Sequence, residues 1–483
     1  MTPYTKGHMT TVRTRFAPSP TGFLHVGNVR AALFPWLVAR QNDGTFVLRI
    51  EDTDQAREVE GAVAIIHETL GWLGIDWQEG PDKPGSVGPY TQSERRDIYL
   101  KWAQFLVDNN LAYADTRTPE ELNALREDAK ARKLPFLARN YRPDSSPAWE
   151  IGMPLRFMST PQVYKWHDEI MGDLSAGQEA VDDFIIMKSD GLPTYNFAHI
   201  VDDHEMGITH VIRGLEYIAS MPKYLNLYEA LGFNKPVFAH APHIMNEQGN
   251  KKLSKRDGAK GILDYRNQGF LPEAVLNFLA SLGWNDGTEQ ELFSRDELIQ
   301  KFSLDHVQRS GARFDERRLL WMNGAYIRTL SLDDLFARVQ DFWPAEAAAY
   351  DDDYKKQVLA LSQERLKYFA ELPELSRFFF TDLPLNAALI TDHKQLKKLE
   401  QPRLRELLQQ SQATLEASDF TTEDLQTRLN DLLERSGEKP AALFSLIRIA
   451  TTQAPASPGL ADTLAVLGKE VSLRRLQAQI DAL

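Results

Sequence analysis

The first 54 residues hold the tightest constraint on the fold: a strand, a rigid loop, a helix and a second strand in immediate succession. Residues 12–16 alternate around Arg15 and read as a short strand. Pro18, Pro20 and Gly22 force an irregular loop, and His25-Val-Gly-Asn28 leads directly into a helical run over 29–40. Residues 44–50 form a strongly apolar strand that ends in Glu51-Asp-Thr-Asp54. Strand, helix, strand at this spacing makes a right-handed βαβ unit with parallel strands. In such a sheet ligands gather at the carboxyl ends of the strands. A helix N-terminus there offers unpaired backbone N–H groups and a positive dipole end to an anion. His25 at that mouth can donate to a phosphate oxygen. Gly27, without a Cβ, leaves room for a flat base or ribose against the backbone. Glu51 falls beside the Pro/Gly loop. The plainer alternatives are a turn histidine at position 25 and carboxylates that cap the next helix, which starts around 58–64. Capping suits Asp54 well and Glu51 poorly, because Glu51 is too far from that helix.

A chain of 483 residues is too long for one core, and three to five domains are expected. The formal net charge of −13 argues against a protein coated in nucleic acid, but local basic patches decide phosphate binding, not the sum. The absence of cysteine excludes disulfides and thiolate zinc sites and fits a cytoplasmic protein. No run of about 18 apolar residues is present, so no membrane span is expected. Residues 1–8 are short and polar, without the apolar stretch of a signal peptide, and stand outside the fold reading.

Further along, 61–73 and 94–109 read as helices, with a Pro/Gly loop at 80–89 between them. From about 112 to 184 the pattern shifts to a charged helix over 119–132 and short strand-like runs at 154–158 and 163–166, as an insertion into the sheet domain would. Core strands return at 184–188, 206–213 and 237–239, with a helix over 222–231 and a dense polar and aromatic run over 191–204. Beyond Gly261 the sequence reads as helical to its end. Apolar periodicity recurs over 271–282, 358–372, 404–415, 425–433, 460–467 and 473–483. The acidic, alanine-rich stretch 344–353 reads as a surface helix or junction, and Phe378-Phe-Phe380 as core.

A second phosphate candidate is the basic loop Lys252-Leu-Ser-Lys-Arg256, whose two ammonium groups can meet charge developing on a leaving pyrophosphate. Alone it could equally be a solvated basic loop. It falls after the last predicted strand, as His25-Val-Gly-Asn28 falls after the first, and that pairing resembles the two ATP-binding signatures of the class I aminoacyl-tRNA synthetases. Six further stretches look like the bacterial glutamyl-tRNA synthetases: Arg15-Phe-Ala-Pro-Ser-Pro-Thr-Gly22, Arg49-Ile-Glu-Asp-Thr-Asp54, Tyr90-Thr-Gln-Ser-Glu-Arg95, Asp190-Gly-Leu-Pro-Thr-Tyr195, Val201-Asp-Asp-His204 and Trp321-Met-Asn-Gly324. The likeness runs from about 11 to 330 and continues more loosely to the C-terminus.

The resemblance implies a fold and a set of roles. The N-terminal half would be α/β, a Rossmann-like parallel sheet over 11–93 and 198–260 with an acceptor-stem-binding domain inserted at 94–197. A stem-contact domain at 261–331 and two all-α anticodon-binding domains, 332–388 and 389–483, would follow. L-glutamate would be held by Arg15, Ala17, Ser19, Glu51, Tyr195, His199 and Arg213, with guanidiniums on the carboxylates and Glu51 on the α-ammonium. Arg213 would meet the side-chain carboxylate, where the similar glutaminyl enzymes have no arginine. Left without that carboxylate by glutamine, it would reject the amide by on the order of 3–5 kcal/mol. ATP would be held by His25, Gly27, Asn28, Glu216, Ile244, Lys252, Ser254, Lys255 and Arg256, with His25, Lys252 and Lys255 catalytic. Arg365 would read the third anticodon base, or else be a solvent-facing helix arginine. Partners would be tRNA-Glu, L-glutamate and ATP with Mg²⁺, with no resident metal and no zinc, and the chain would act as a monomer.

The sequence departs from the family pattern at Val26 for the usual isoleucine, Leu253 for Met or Ile, and Arg256 for Ser. Some relatives carry a cysteine-rich zinc site near Tyr113. Here the insertion must fold on its own packing. An enzyme that also charges tRNA-Gln would share the same catalytic residues. A truncated tRNA-modifying relative would lack the helical half, a small-molecule nucleotidyltransferase would lack Arg15, Glu51, Tyr195 and Arg213, and a degenerate RNA-binding paralogue would be expected to lose His25 or Lys255.

Overall fold

A computed structural model of the chain describes residues 11–253 and 260–483. The chain forms two compact units, one containing the residues up to Tyr265 with Pro272–Glu316, the other Arg266–Leu271 with Arg317–Leu483.

In the first unit, β1 (Arg13–Phe16) and β2 (Thr45–Leu48) pair in parallel, Arg13 opposite Thr45 and Phe16 opposite Leu48. Between them runs α1 (Val26–Gln41), which is buried along nearly its whole length from Val29 to Ala39 and so is apolar on most faces. The helix begins three residues earlier than its apolar run suggests. His25 is its N-cap: Nδ1 accepts from the Gly27 N–H at 3.0 Å and the Asn28 side chain accepts from the His25 N–H at 3.2 Å. Histidine is not among the usual capping residues, so His25-Val-Gly-Asn28 reads as loop when it is the cap and first turn.

α2 (Ala62–Leu73), α3 (Arg96–Asp108) and β3 (Ala112–Ala114) follow, then α4 (Pro119–Ala131), which Thr118 and Glu121 cap reciprocally. Asp54 heads only a short 3₁₀ turn, without a side-chain cap, and Asp52 instead accepts from the Ser93 N–H and hydroxyl. β3 joins β4 (Leu155–Phe157) and β7 (Phe184–Met187) in an antiparallel sheet, and β5 (Tyr164–Asp168) with β6 (Gly172–Ala176) makes a hairpin within the same stretch. Two buried carboxylates pin it. Asp115 accepts from Arg117 and Arg156, and Asp183 from Arg142, Ser159 and Tyr113. Ion pairs and packing therefore hold the region around Tyr113.

The polar and aromatic run before residue 204 becomes α5 (Tyr195–Glu205). Met206 closes that helix, its N–H on the Asp202 carbonyl, and Gly207 turns the chain at φ 64°, so β8 (His210–Gly214) starts later than its apolar pattern suggests. After α6 (Met221–Leu231), β9 (Val237–Ala241) pairs with β8 in parallel. Thr209 donates its N–H to the Arg13 carbonyl and accepts from the Arg13 N–H, which sets this pair against β1.

Beyond Gly261 the chain is not helical throughout: β10 (Ile244–Met245) pairs with β11 (Ala312–Arg313). In the second unit the periodic stretch 358–372 is broken. Asp352–Ser362 is helical, Gln363–Arg365 is a 3₁₀ turn, and the helix resumes at Leu372. The backbone between is tied elsewhere: Phe369 and Ala370 donate to the carbonyls of Gly269 and Gln268, and the Lys367 carbonyl accepts from Asn323. Phe378, Phe379 and Phe380 are core, as is Ala347 in the alanine-rich stretch. The later helices Gln401–Glu416, Thr422–Ser436, Pro440–Thr452, Leu460–Leu467 and Lys469–Ala482 share one leucine-rich core. Among the described residues no helix is long and apolar enough to cross a membrane.

Asp202 ties α5 to the segment around α3. It is fully buried and accepts from Gln92, Arg95 and the Tyr99 hydroxyl. Asp202→Ala leaves Arg95 buried without its carboxylate and is expected to lower the unfolding free energy by about 3–5 kcal/mol in chemical denaturation. A loss within ~0.5 kcal/mol, the range of an ordinary surface substitution, would show that the network holds nothing.

Candidate active site

A cavity of about 450 Å³ opens at the carboxyl ends of β1, β8 and β9. Its wall carries residues from both predicted bends. From the first come Ala17, Ser19, His25, Gly27 and Asn28, and from the second Lys252 and Leu253. Backbone pairing brings the bends together. Lys252 bridges Met245, the Leu253 N–H donates to the Ile244 carbonyl, and Gly261 bridges His25 while the Ile262 N–H donates to the Leu24 carbonyl. The ends of the lysine-bearing loop are therefore anchored at the cavity and beside His25. Ser254, Lys255 and Arg256 lie outside the described residues.

Capping fixes the chemistry of His25. Because Nδ1 accepts from the Gly27 N–H, a neutral ring carries its proton on Nε2, as a donor. Gly27 leaves room for the ring itself: a Cβ there would stand 3.0 Å from His25 Cε1, and the ring would have to give by a few tenths of an ångström. Gly22, at φ 130°, lets the Pro/Gly loop turn back toward the helix mouth. Lys252 is half exposed, its Nζ 3.4 Å from Glu216, which is also 3.6 Å from His243. Burial pushes the Glu216 carboxyl up, but hydrogen bonding and the Lys252 charge outweigh it and leave it below its usual range.

Below the mouth lies a compact set of charges. Arg15 reaches Asp203 through Nε at 3.1 Å and Nη2 at 3.3 Å. Arg49, fully buried, bonds Asp203 at 2.8 Å and Glu51 at 3.0 Å. The fork of Arg15 is thus already engaged, which leaves its remaining Nη1 edge nearest the Ile212 carbonyl at 3.5 Å. Burial pushes the Glu51 carboxyl up against the pull of Arg49, whereas Arg15 and Arg49 hold Asp203 far below the usual carboxylate range despite its burial. The Glu51 N–H donates to the Pro18 carbonyl, so this carboxylate does sit beside the Pro/Gly loop.

Arg213 is different. It is 6% exposed and lines the cavity at the end of β8, yet among the described residues no carboxylate lies within ion-pair distance of it. Its Nε donates to His240 Nε2 at 3.1 Å, Nη1 is 3.4 Å from His199 Nε2, and Nη2 meets the Met221 sulfur at 3.2 Å. The rings of Tyr217 and Tyr224 flank it at 4.9 and 5.0 Å. Tyr195 lines the cavity, and His199 stacks behind it at 4.7 Å. His199 does not reach the wall and touches the site through Tyr195 and Arg213. Burial, then the Arg213 charge, holds His199 well below its usual value of 6.5.

Sequence reasoning named no role for Arg49, Asp203, Tyr217, His240 or Arg30. Arg30 sits on the buried stretch of α1, lines the cavity, donates to the Leu282 carbonyl at 2.7 Å, and is pushed down to about 10 by burial. A charged residue inside an otherwise apolar helical run is the signal that could have found it. In the second unit Arg365 lies in the 3₁₀ turn, half buried, with Nη1 lacking a hydrogen-bond partner among the described residues. The Arg448 guanidinium is lowered by burial and by the nearby Arg365 charge. Among the described residues no cluster of three or more His, Asp or Glu is arranged to hold a metal ion.

Residues 11–321 match the family described as tRNA synthetases class I (E and Q), catalytic domain, and 334–480 match an anticodon binding domain. The chain belongs to the class I tRNA synthetases of this E and Q group. The synthetase is 43% identical to a glutamate–tRNA ligase of Clostridium botulinum over 483 residues, 98% of each chain, and 43% identical to one of Dehalococcoides mccartyi over 477 residues, 97% of each. Its fold matches the crystal structure of a glutamate tRNA ligase from Elizabethkingia meningosepticum in complex with its amino acid, with TM-score 0.87 and 33% identity, over 98% of this chain and all of that one.

Burial holds His199, His204, His210 and His240 of the synthetase below their usual 6.5. The unfolded chain takes up protons at these sites before the folded one does. Their contribution is complete above about 6.5 and is lost as the pH falls below it, by up to about 1.4 kcal/mol per pH unit per group. Glu51, raised by burial, works the opposite way. Denaturation at pH 7 and 5.5 should show a loss of stability that is smaller in His199→Gln. An equal loss in both would contradict a neutral, buried His199.

Proposed function

We propose that this synthetase ligates L-glutamate to tRNA-Glu in two ATP-dependent steps. In the first, an α-carboxylate oxygen of glutamate attacks the α-phosphorus of ATP in line, and the bond to the pyrophosphate oxygen breaks. In the second, a hydroxyl of the terminal ribose of the tRNA attacks the activated carbonyl and AMP leaves. The protein's part is to position the reactants and neutralise charge. The observation that carries the substrate assignment is Arg213, a buried cation at the cavity wall held by two imidazoles and no carboxylate. The side-chain carboxylate of glutamate supplies the missing anion, and the amide of glutamine does not.

The other roles follow from position. Glu51 receives the α-ammonium, with Ser19, Ala17 and Tyr195 along the same wall. The Nη1 edge of Arg15, which in the free protein donates at 3.5 Å to the Ile212 carbonyl, assists at a substrate carboxylate, and His199 acts through Arg213. His25, Gly27 and Asn28 receive the nucleotide at the mouth of α1, and Glu216 and Ile244 face its nucleoside. Lys252 exchanges Glu216 for a phosphate, joined by Ser254, Lys255 and Arg256, and Mg²⁺ arrives with ATP. We read the catalytic half as a Rossmann-like sheet over 11–93 and 198–260 with an acceptor-binding insertion at 94–197. The stem-contact domain is 261–331, and the anticodon-binding domains are 332–388 and 389–483. Arg365 reads the anticodon, the enzyme is a cytoplasmic monomer, and it discriminates for tRNA-Glu.

Aminoacylation of purified tRNA-Glu and tRNA-Gln with labelled glutamate tests this. Charging of tRNA-Glu alone is expected. Charging of both overturns the discriminating assignment, and charging of neither overturns the enzyme reading. Arg213→Ala should abolish glutamate activation and leave tRNA affinity nearly intact. An equal loss of both would mean that Arg213 does not face the amino acid.

A further inference from the structure

The imidazoles that hold Arg213 are themselves held, and one is governed by a carboxylate from the inserted hairpin. His240 is fully buried on β9. Its Nδ1 is 2.6 Å from Oδ2 of Asp168, the fully buried last residue of β5. A neutral imidazole beside a carboxylate carries its proton on the nitrogen that faces it, so Nδ1–H donates to Asp168 and Nε2 keeps its lone pair. That lone pair accepts the Arg213 Nε–H at 3.1 Å. The Asp168 carboxylate is fixed in turn. Its Oδ1 accepts the backbone N–H groups of Ile170 at 3.1 Å, Met171 at 2.9 Å and His240 at 3.2 Å. On the other side His199 donates Nδ1–H to the Tyr195 carbonyl at 2.8 Å and so also turns a lone pair toward Arg213.

We propose that Asp168 is a positioning residue for amino-acid selection, setting the His240 tautomer that aims the Arg213 guanidinium at the substrate's side-chain carboxylate. The inference rests on the reading that Arg213 binds that carboxylate. Asp168 does not touch the cavity. It fixes the direction of a buried cation at the cavity wall that has no carboxylate within ion-pair distance among the described residues, and neutral acceptors fix that direction without cancelling its charge.

Asp168→Asn tests the relay because the substitution has one outcome. The three backbone N–H groups claim the amide oxygen, so the amide nitrogen must face His240 Nδ1. The imidazole then accepts at Nδ1 and carries its proton on Nε2, opposite the Arg213 Nε–H. Two donors meet and the guanidinium moves. With ATP and tRNA saturating, the KM for glutamate should rise roughly ten- to a hundredfold, as for a misplaced charged contact. The KM for ATP should stay within about twofold, and the preference for glutamate over glutamine should fall. Asp173→Asn, in the same hairpin and paired only with exposed His167, should change none of these. Imidazole ¹⁵N shifts, with His240 assigned by its loss in His240→Phe, should show Nδ1–H in the wild type and Nε2–H in Asp168→Asn.

Nε2–H in the wild type overturns the relay. So does a flipped tautomer with an unchanged KM for glutamate while Arg213→Ala is inactive, because the site reading then stands without it. Activation that survives in Arg213→Ala instead overturns the site reading itself. If Asp168→Asn does not fold, His240→Phe decides. It removes the acceptor and keeps the backbone bonds of Asp168, and it must raise the KM for glutamate and spare that for ATP. A matching rise in both, or none in either, contradicts the proposal.

Discussion

A buried guanidinium with no carboxylate beside it among the described residues, that of Arg213, organises one end of this cavity. Arg15, Arg49 and Arg95 are matched by Glu51, Asp202 and Asp203, and those pairs lock α5 to the start of the chain. Each partner compensates the desolvation of the other, so these charges are held in place before any ligand arrives. Two buried guanidiniums at the cavity are left over: Arg30 gives its donors to the Leu282 and Pro242 carbonyls, and Arg213 is held by imidazoles. Placing a guanidinium at 6% exposure among tyrosines and neutral histidines is unfavourable in the free protein. In the proposed reading, binding of an anion relieves it, and the stability forgone there becomes discrimination between a carboxylate and an amide that differ little in shape.

The end of the cavity at the mouth of α1, which the proposed function gives to the nucleotide, is built on another principle. Its donors are backbone N–H groups at the mouth of α1 and a histidine whose protonation is fixed by its own capping bond. The basic loop is far away in sequence, yet both of its described ends pair with backbone at the cavity, and the Gly261 bridge lands on His25. In the proposed reading, charge that meets a leaving pyrophosphate includes the half-exposed Lys252, and charge that selects the substrate is carried on a strand end braced by buried imidazoles.

The βαβ start and most helices were legible in the sequence because periodicity and Gly/Pro punctuation report local structure directly. The start of α1 was not, because a histidine cap looks like loop. The break at residues 363–371 was not, because leucine spacing continues through it while tertiary hydrogen bonds to Gln268, Gly269 and Asn323 take the backbone out of the helix. Motifs brought Glu51, Tyr195 and Arg213 forward, but a motif cannot show that Arg15 already has its carboxylate. The pairing of Asp168 with His240 spans 72 residues and joins β5 to β9, which no local pattern encodes.

The central claim is that Arg213, held by neutral acceptors and by no carboxylate among the described residues, receives the anion of the substrate. The unfolding free energy of the parent and of Arg213→Met, each measured in denaturant with and without glutamate, tests it most directly. Methionine keeps much of the volume and removes the charge, so glutamate at a hundred times its Kd should stabilise the parent by about 2.7 kcal/mol and add no stability to the variant. Equal stabilisation of the two by glutamate would show that Arg213 does not meet the substrate, and the account would be wrong.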